Sequence, residues 1–266
     1  MQTNEKIVAL GVGRKGCQIV EQMLRKIEGV KFADVRFQAE DDVLNLFNAP
    51  LKFNLENDGD CKKIIDDNFQ DADLIFVIGD SPLVPSVARA VKEASKLTIG
   101  ITTSNNENLR TEFKQASDAL ISFNEVVCSE EQIKLSQNVL ESIVDLLTKS
   151  GFVNLDFEDM KAILQNTGTA FLGTGSAEGD NRAKVAALQA INMCGEEIKK
   201  AKRILLNITT GSEVSLSEMA NVAEILEENV SPDTAVIWGH VIDENFDNSV
   251  KVTFIAGIDD KVSALV

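Results

Sequence analysis

Three stretches of this sequence combine residue types and spacing that could do chemistry. The first is Gly11-Val12-Gly13-Arg14-Lys15-Gly16, directly after the apolar run Lys6–Leu10. A glycine turn between a strand and a helix offers backbone N–H groups and a positive helix end to a phosphate. It formally fits the dinucleotide fingerprint GxGxxG, with Asp34 at about the right distance for a ribose. That pattern is weak alone, and the same glycines also make a tight turn with no ligand. The second stretch is Asn154-Leu155-Asp156-Phe157-Glu158-Asp159. Carboxylates three residues apart at a helix start can act on a proton or a water, and they can equally cap the helix. The third is GTGSAEGDNR, residues 173–182, whose glycines are suggestive of a phosphate loop.

Other side chains point away from chemistry. Cys17, Cys61, Cys128 and Cys194 form no CxxC pair, and His240 is the one histidine, so a zinc site is not expected. His240, beside Trp238 in a strand-like run, reads as a packing or surface residue. The acidic runs Glu40–Asp42 and Asp259–Asp260 read as solvated faces.

The elements that must position these residues follow from periodicity. Cys17–Ile27 has helical spacing, with Ile19, Val20, Met23, Leu24 and Ile27 on one face. Residues 31–60 give a weak, mixed signal ending in the turn Asn57–Asp60. Asp73–Ile78 and Leu97–Thr102 are buried-type strands, and the helix between them, around Pro85–Lys96, makes a right-handed parallel crossover. Ala119–Ser122 is a further strand. Glu130–Lys149 is a long helix, stopped near Gly151. The second half reads as a short helix (156–165), a glycine-rich loop (168–179) and an alanine-rich helix (181–192). Then come a strand (201–209), a helix (216–229) and two closing strands, 234–240 and 249–256. A polar hairpin-like turn, Asp243–Asn248, joins those two.

The chain has 266 residues, enough for two domains with buried cores. Its net charge of −16 repels nucleic acid and anionic membranes, so neither is expected as a direct partner. Scattered thiols and no signal peptide point to the cytoplasm.

That layout is similar to the FtsZ family of bacterial tubulin homologues. LLTKSGFVNLDFED (146–159) resembles the end of the family's central helix and its synergy loop. NTGTAFLGTGSAEGDNRAKVAALQA (166–190), LLNITTGSEVSLSEMANVAEIL (205–226) and Val241–Gly257 continue the likeness. KIVALGVGRKGCQIVEQM resembles the first phosphate loop, and DADLIFVIGD with PSVARAVKEASKLTIGITT resembles the elements around the signature loop. The resemblance implies a tubulin/FtsZ-like α/β fold. Residues 1–129 would be a Rossmann-like nucleotide-binding domain with a parallel sheet. Residues 130–150 would be the central helix, and 151–266 an α+β domain that activates the neighbouring subunit's GTPase.

It also implies roles. GTP or GDP would lie against Gly11, Gly13 and Gly16, with Asn124 and Gln137 at the guanine. Asn154, Asp156 and Asp159 would be donated to the GTP site of the next subunit, itself or an FtsZ-type protein, stacked head to tail. That contact is open-ended and builds filaments. This sequence departs from the family at the signature GGGTGTG. Between Gly79 and Pro85 stand only Asp80, Ser81, Pro82, Leu83 and Val84, and the ribose loop is shortened around Asn57–Cys61. Proline supplies no N–H, leucine and valine add bulk, and the aspartate adds negative charge. The expected function is an FtsZ-like cell-division protein that is a pseudo-GTPase and works through its intact synergy loop. The alternatives are a self-assembling divergent GTPase and a nucleotide-independent structural filament or dimer. Family members also continue into a linker and a tether-binding tail; the sequence ends at Val266 without either.

Overall fold

The computed structural model describes residues 6–24, 26–37, 48–57, 59–123 and 129–259. Asn124, Cys128, Glu40–Asp42 and Asp260 lie outside them. The chain divides into two compact units, one up to Leu140 and one from Glu141.

In the N-terminal unit, β1 (Ile7–Val12), β2 (Val30–Phe37), β3 (Leu51–Leu55), β4 (Leu74–Gly79), β5 (Leu97–Thr102) and β6 (Ala119–Ser122) are all parallel, in the order β3-β2-β1-β4-β5-β6. β1 and β4 are buried along their whole length, which is why they read as unbroken apolar runs. Val8, Leu10 and Val12 share one core with Ala33, Val35, Ile75 and Val77. Residues of α2 (Asp60–Asn68), α3 (Val84–Glu93) and α4 (Glu107–Ala116) cover that face. Fully burying a leucine, isoleucine or phenylalanine is worth about 1.5–3 kcal/mol. α1 (Gly13–Met23) buries Ile19, Val20 and Met23 against the sheet, the face its spacing predicts.

The weak region of the sequence holds β2 and β3. β2 carries Asp34 and Arg36 two residues apart, hence on one face, and both are 1% exposed. Arg36 Nη2 donates to Asp34 Oδ2 at 3.1 Å, and Arg36 Nε donates to Cys17 Sγ at 3.3 Å. Burial, with the Asp34 charge adding to it, pushes the Cys17 thiol up to about 12, so it stays protonated. Burial also raises the Asp34 pKa, against the opposing pull of Arg36. A ribose-reading carboxylate must face the ligand; Asp34 is paired inside the core instead.

α5 (Ser129–Thr148) contributes its first part to the N-terminal unit and its last turns to the C-terminal unit. In the C-terminal unit α6 (Phe157–Leu164) is followed by β7 (Gly168–Glu178), α7 (Arg182–Cys194), β8 (Arg203–Thr210), α8 (Leu216–Asn229), β9 (Ala235–Ile242) and β10 (Ser249–Gly257). The order is β7-β10-β8-β9, with β10 antiparallel to β7 and β8, and β8 parallel to β9. Ile204, Leu206 and Ile208 of β8 and Val250, Val252 and Phe254 of β10 pack beneath α7 and α8.

Two expectations are corrected here. β9 and β10 are not a hairpin: β8 lies between them, and the 243–248 connection crosses the end of β8, where Gly211 N donates to Phe246 O at 3.0 Å. The glycine-rich stretch from Gly168 is strand β7, not a loop. Its glycines answer to packing. A Cβ on Gly173 would stand 2.5 Å from Ala190 O, and one on Gly175 2.2 Å from Ala186 O, both on α7. Gly175→Ala is expected to lower stability by about 1–3 kcal/mol through overpacking, read as a fall in the urea midpoint.

Candidate functional site

The glycine stretch is not a separate loop: Gly11 lies within β1, which ends at Val12, and Gly13 opens α1, which takes in Gly16. Gly13 has φ +70°, a left-handed conformation that glycine adopts at little cost. Each glycine also has a close neighbour. A Cβ on Gly11 would lie 2.8 Å from Gly16 O, and one on Gly16 2.1 Å from Ile78 O of β4. One on Gly13 would lie 2.6 Å from Cβ of Ser81, so the second loop already presses on the first.

That second loop takes up two of its own donors. Leu83 N donates to Ser81 Oγ at 3.4 Å and Val84 N to Ser81 O at 3.1 Å, while Pro85, at the first turn of α3, has no N–H. Ser81, Leu83 and Val84 are buried. Lys15 Nζ lies 3.8 Å from Asp80 Oδ2 and donates to Gln132 Oε1 at 3.1 Å. A phosphate here would meet a carboxylate at a cation already engaged. At the second loop Leu83 N and Val84 N are engaged internally, and Pro82 and Pro85 have no N–H to offer a phosphate.

The structure places Gln137 away from this contact. Its Oε1 accepts from Lys26 Nζ at 3.5 Å, past the far end of α1, and its Nε2 is buried without a partner. Gln132 is the α5 residue bonded to the glycine loop, and the sequence reading missed it. A glutamine one helical turn inside α5 carries no pattern that separates it from a surface residue.

The second candidate lies in the C-terminal unit, on the loop between α5 and α6. Asp156 is the N-cap of α6: its Oδ1 accepts from Asp159 N at 2.8 Å, and Asp159 Oδ2 accepts from Asp156 N at 3.2 Å. This capping box confirms the local role that spacing alone suggests. Asn154 Oδ1 accepts from Gly151 N at 2.9 Å, closing the turn before it. Asn154, Asp156 and Glu158 are exposed, Asp159 is half-buried, and Leu155 is buried beneath them. The cap uses one oxygen of each carboxylate, so three polar side chains face outward on a loop fixed from below. Among the described residues no group of three or more His, Cys, Asp or Glu side chains is set to hold a metal, and no helix is long and apolar enough to cross a membrane.

A parallel-sheet unit with a glycine loop, a long linking helix and a second unit with a mixed sheet define the tubulin/FtsZ-like fold. An FtsZ of M. jannaschii, described as an empty dimer, superposes with a TM-score of 0.82 at 24% identity, over 97% of this chain and 89% of that one. A CetZ of Haloferax volcanii, a GDP-bound monomer, gives 0.69 at 15% identity over 94% and 93%. A CetZ of Methanosaeta thermophila gives 0.70 at 17% identity over 95% and 86%. Residues 168–259 match the model of the FtsZ family, C-terminal domain.

Proposed function

We propose that this chain is an FtsZ-like cytoskeletal protein of the cytoplasm that acts as a pseudo-GTPase. It docks its Asn154–Asp159 loop onto the GTP-loaded face of an FtsZ-type subunit and modulates that filament. The observation that carries this reading is the unequal state of the two loops. On the phosphate side Ser81 lies against Gly13, and Leu83 N and Val84 N are spent on Ser81. The donated side keeps Asn154, Asp156 and Glu158 exposed on a capped helix start. Asp156 and Asp159 would polarise the attacking water of the neighbouring subunit, as general bases do from hydrogen-bonding distance.

The test mixes purified chain with an FtsZ that carries its own GTP, and follows polymer mass and phosphate release. A change in either that depends on the amount of added chain supports the proposal. No change in both overturns it.

A second reading, a divergent GTPase that assembles with itself, is favoured by the intact turn at Gly11, Gly13 and Gly16. Titration with a fluorescent GTP analogue separates the two. We expect no saturation at micromolar nucleotide, because each missing backbone donor removes about 0.5–1.5 kcal/mol. Guanine-selective micromolar binding with GTP-dependent pelleting would establish the second reading. Pelleting indifferent to GTP would mark a structural filament.

A further inference from the structure

The loop between α5 and α6 is held against β9, where His240 makes both backbone and side-chain contacts to it. His240 N donates to Val153 O at 2.9 Å, and Ile242 N to Ser150 O at 3.2 Å. The imidazole of His240 is 1% exposed and serves two elements at once. Its Nδ1 accepts from Phe152 N at 3.1 Å. Its Nε2 lies 2.8 Å from Thr210 Oγ1, whose hydroxyl donates to Gly211 O at 2.8 Å. Since Nδ1 accepts and the threonine proton is already spent, the ring hydrogen sits on Nε2 and the ring is neutral. The Phe152 ring stacks on the imidazole, with centroids 5.2 Å apart and planes 22° apart, while 56% exposed to solvent. Contact at Gly151 is so close that a Cβ there would stand 1.7 Å from His240 O.

We infer that His240 is a positioning residue: its neutral imidazole sets the conformation of Ser150–Leu155, hence the placement of Asn154 and Asp156, and a proton on Nδ1 releases the loop. Protonated Nδ1 becomes a donor facing the Phe152 N–H, also a donor, so this bond is lost. The charged groups on the surrounding elements are Lys149, Asp145, Asp243, Asp247, Asp156 and Glu158. Lys149 is paired with Asp145 and Asp243. Burial lowers the pKa of His240. The sign follows: with the folded pKa depressed, this stabilisation is present above the unfolded value of about 6.5 and is lost as pH falls through the folded one. Loop order does not depend on the proposed function; its effect on assembly rests on that reading.

The experiment is amide exchange on the isotope-labelled full chain, corrected for intrinsic rates, from neutral pH into acid. In the parent, Phe152 N–H is expected to be protected about tenfold or more at neutral pH and to lose protection as the His240 ring titrates. His240→Asn, whose Oδ1 replaces Nδ1, keeps the protection and removes its pH dependence. His240→Gln, whose amide replaces Nε2, loses it at every pH. An unprotected Phe152 amide in the parent at neutral pH overturns the inference. So does full protection in His240→Gln, or an unchanged pH profile in His240→Asn. Should a variant fail to fold, the ring-nitrogen shifts of the parent decide: Nδ1 must be the unprotonated nitrogen at neutral pH. A loop that behaves as stated while FtsZ GTPase is untouched sinks the proposed function and leaves this inference standing.

Discussion

Replacing Asp156 with serine is expected to leave the fold as stable as the parent and to remove the chain's stimulation of a GTP-loaded FtsZ subunit. The two roles of Asp156 separate because a cap needs only an oxygen acceptor, whereas water activation needs a carboxylate. Serine accepts from Asp159 N as aspartate does, and Asp159 can still reach back to the N-cap N–H, so α6 keeps its capping box. Loss of a positioned acid–base group lowers a rate by about 10²-fold or more. Asp156→Ala loses both functions and falls in stability by about 1 kcal/mol. Phosphate release from the mixture and urea unfolding of each variant are the two measurements. If Asp156→Ser stimulates as well as the parent, the carboxylate is a cap and nothing more.

The largest stability effect is expected at Asp34. Asp34→Ala removes the carboxylate that faces Arg36 in the interior of the N-terminal unit, where both side chains are 1% exposed. Breaking such a pair from one side costs about 3–5 kcal/mol, because the buried guanidinium loses the carboxylate it faces. The double variant Asp34→Ala, Arg36→Met removes both charges and is expected to recover most of that loss. Urea midpoints of the parent, the two single variants and the double variant measure the coupling. A double variant no more stable than Asp34→Ala would show that the pair is not what the core depends on.

The same pair explains why β2 was hard to see in the sequence. Val30-Lys31-Phe32-Ala33-Asp34-Val35-Arg36 alternates, but its two charges sit where a buried strand is expected to be apolar, so the run reads as mixed. β1, β4 and β5 were legible because every position in them is buried. α2 and α4 left faint traces: each buries only two residues, Cys61 with Ile65 and Phe113 with Ala116. At β7 the glycines misled, since a sequence does not show whether a missing Cβ makes room for a turn or for a helix overhead. At the candidate site, the Asp156–Asp159 spacing spelled out its cap, while the glycines gave no sign that α1 starts as early as Gly13. The approach of Ser81 to Gly13 and the reach of His240 to Phe152 join residues 68 and 88 positions apart, and no local pattern records such distances.

β9 is the outermost strand of its sheet, and the contacts from Ser150 and Val153 run along its open side. An uncovered strand edge recruits other chains without selectivity. The loop that presents Asp156 is therefore also a guard rail: while it stays in place, the backbone groups of His240 and Ile242 have no vacancy for a foreign strand. Conditions that free the loop would expose sticky backbone as well as disturb a specific contact, so off-target clumping and loss of ordered assembly should set in together.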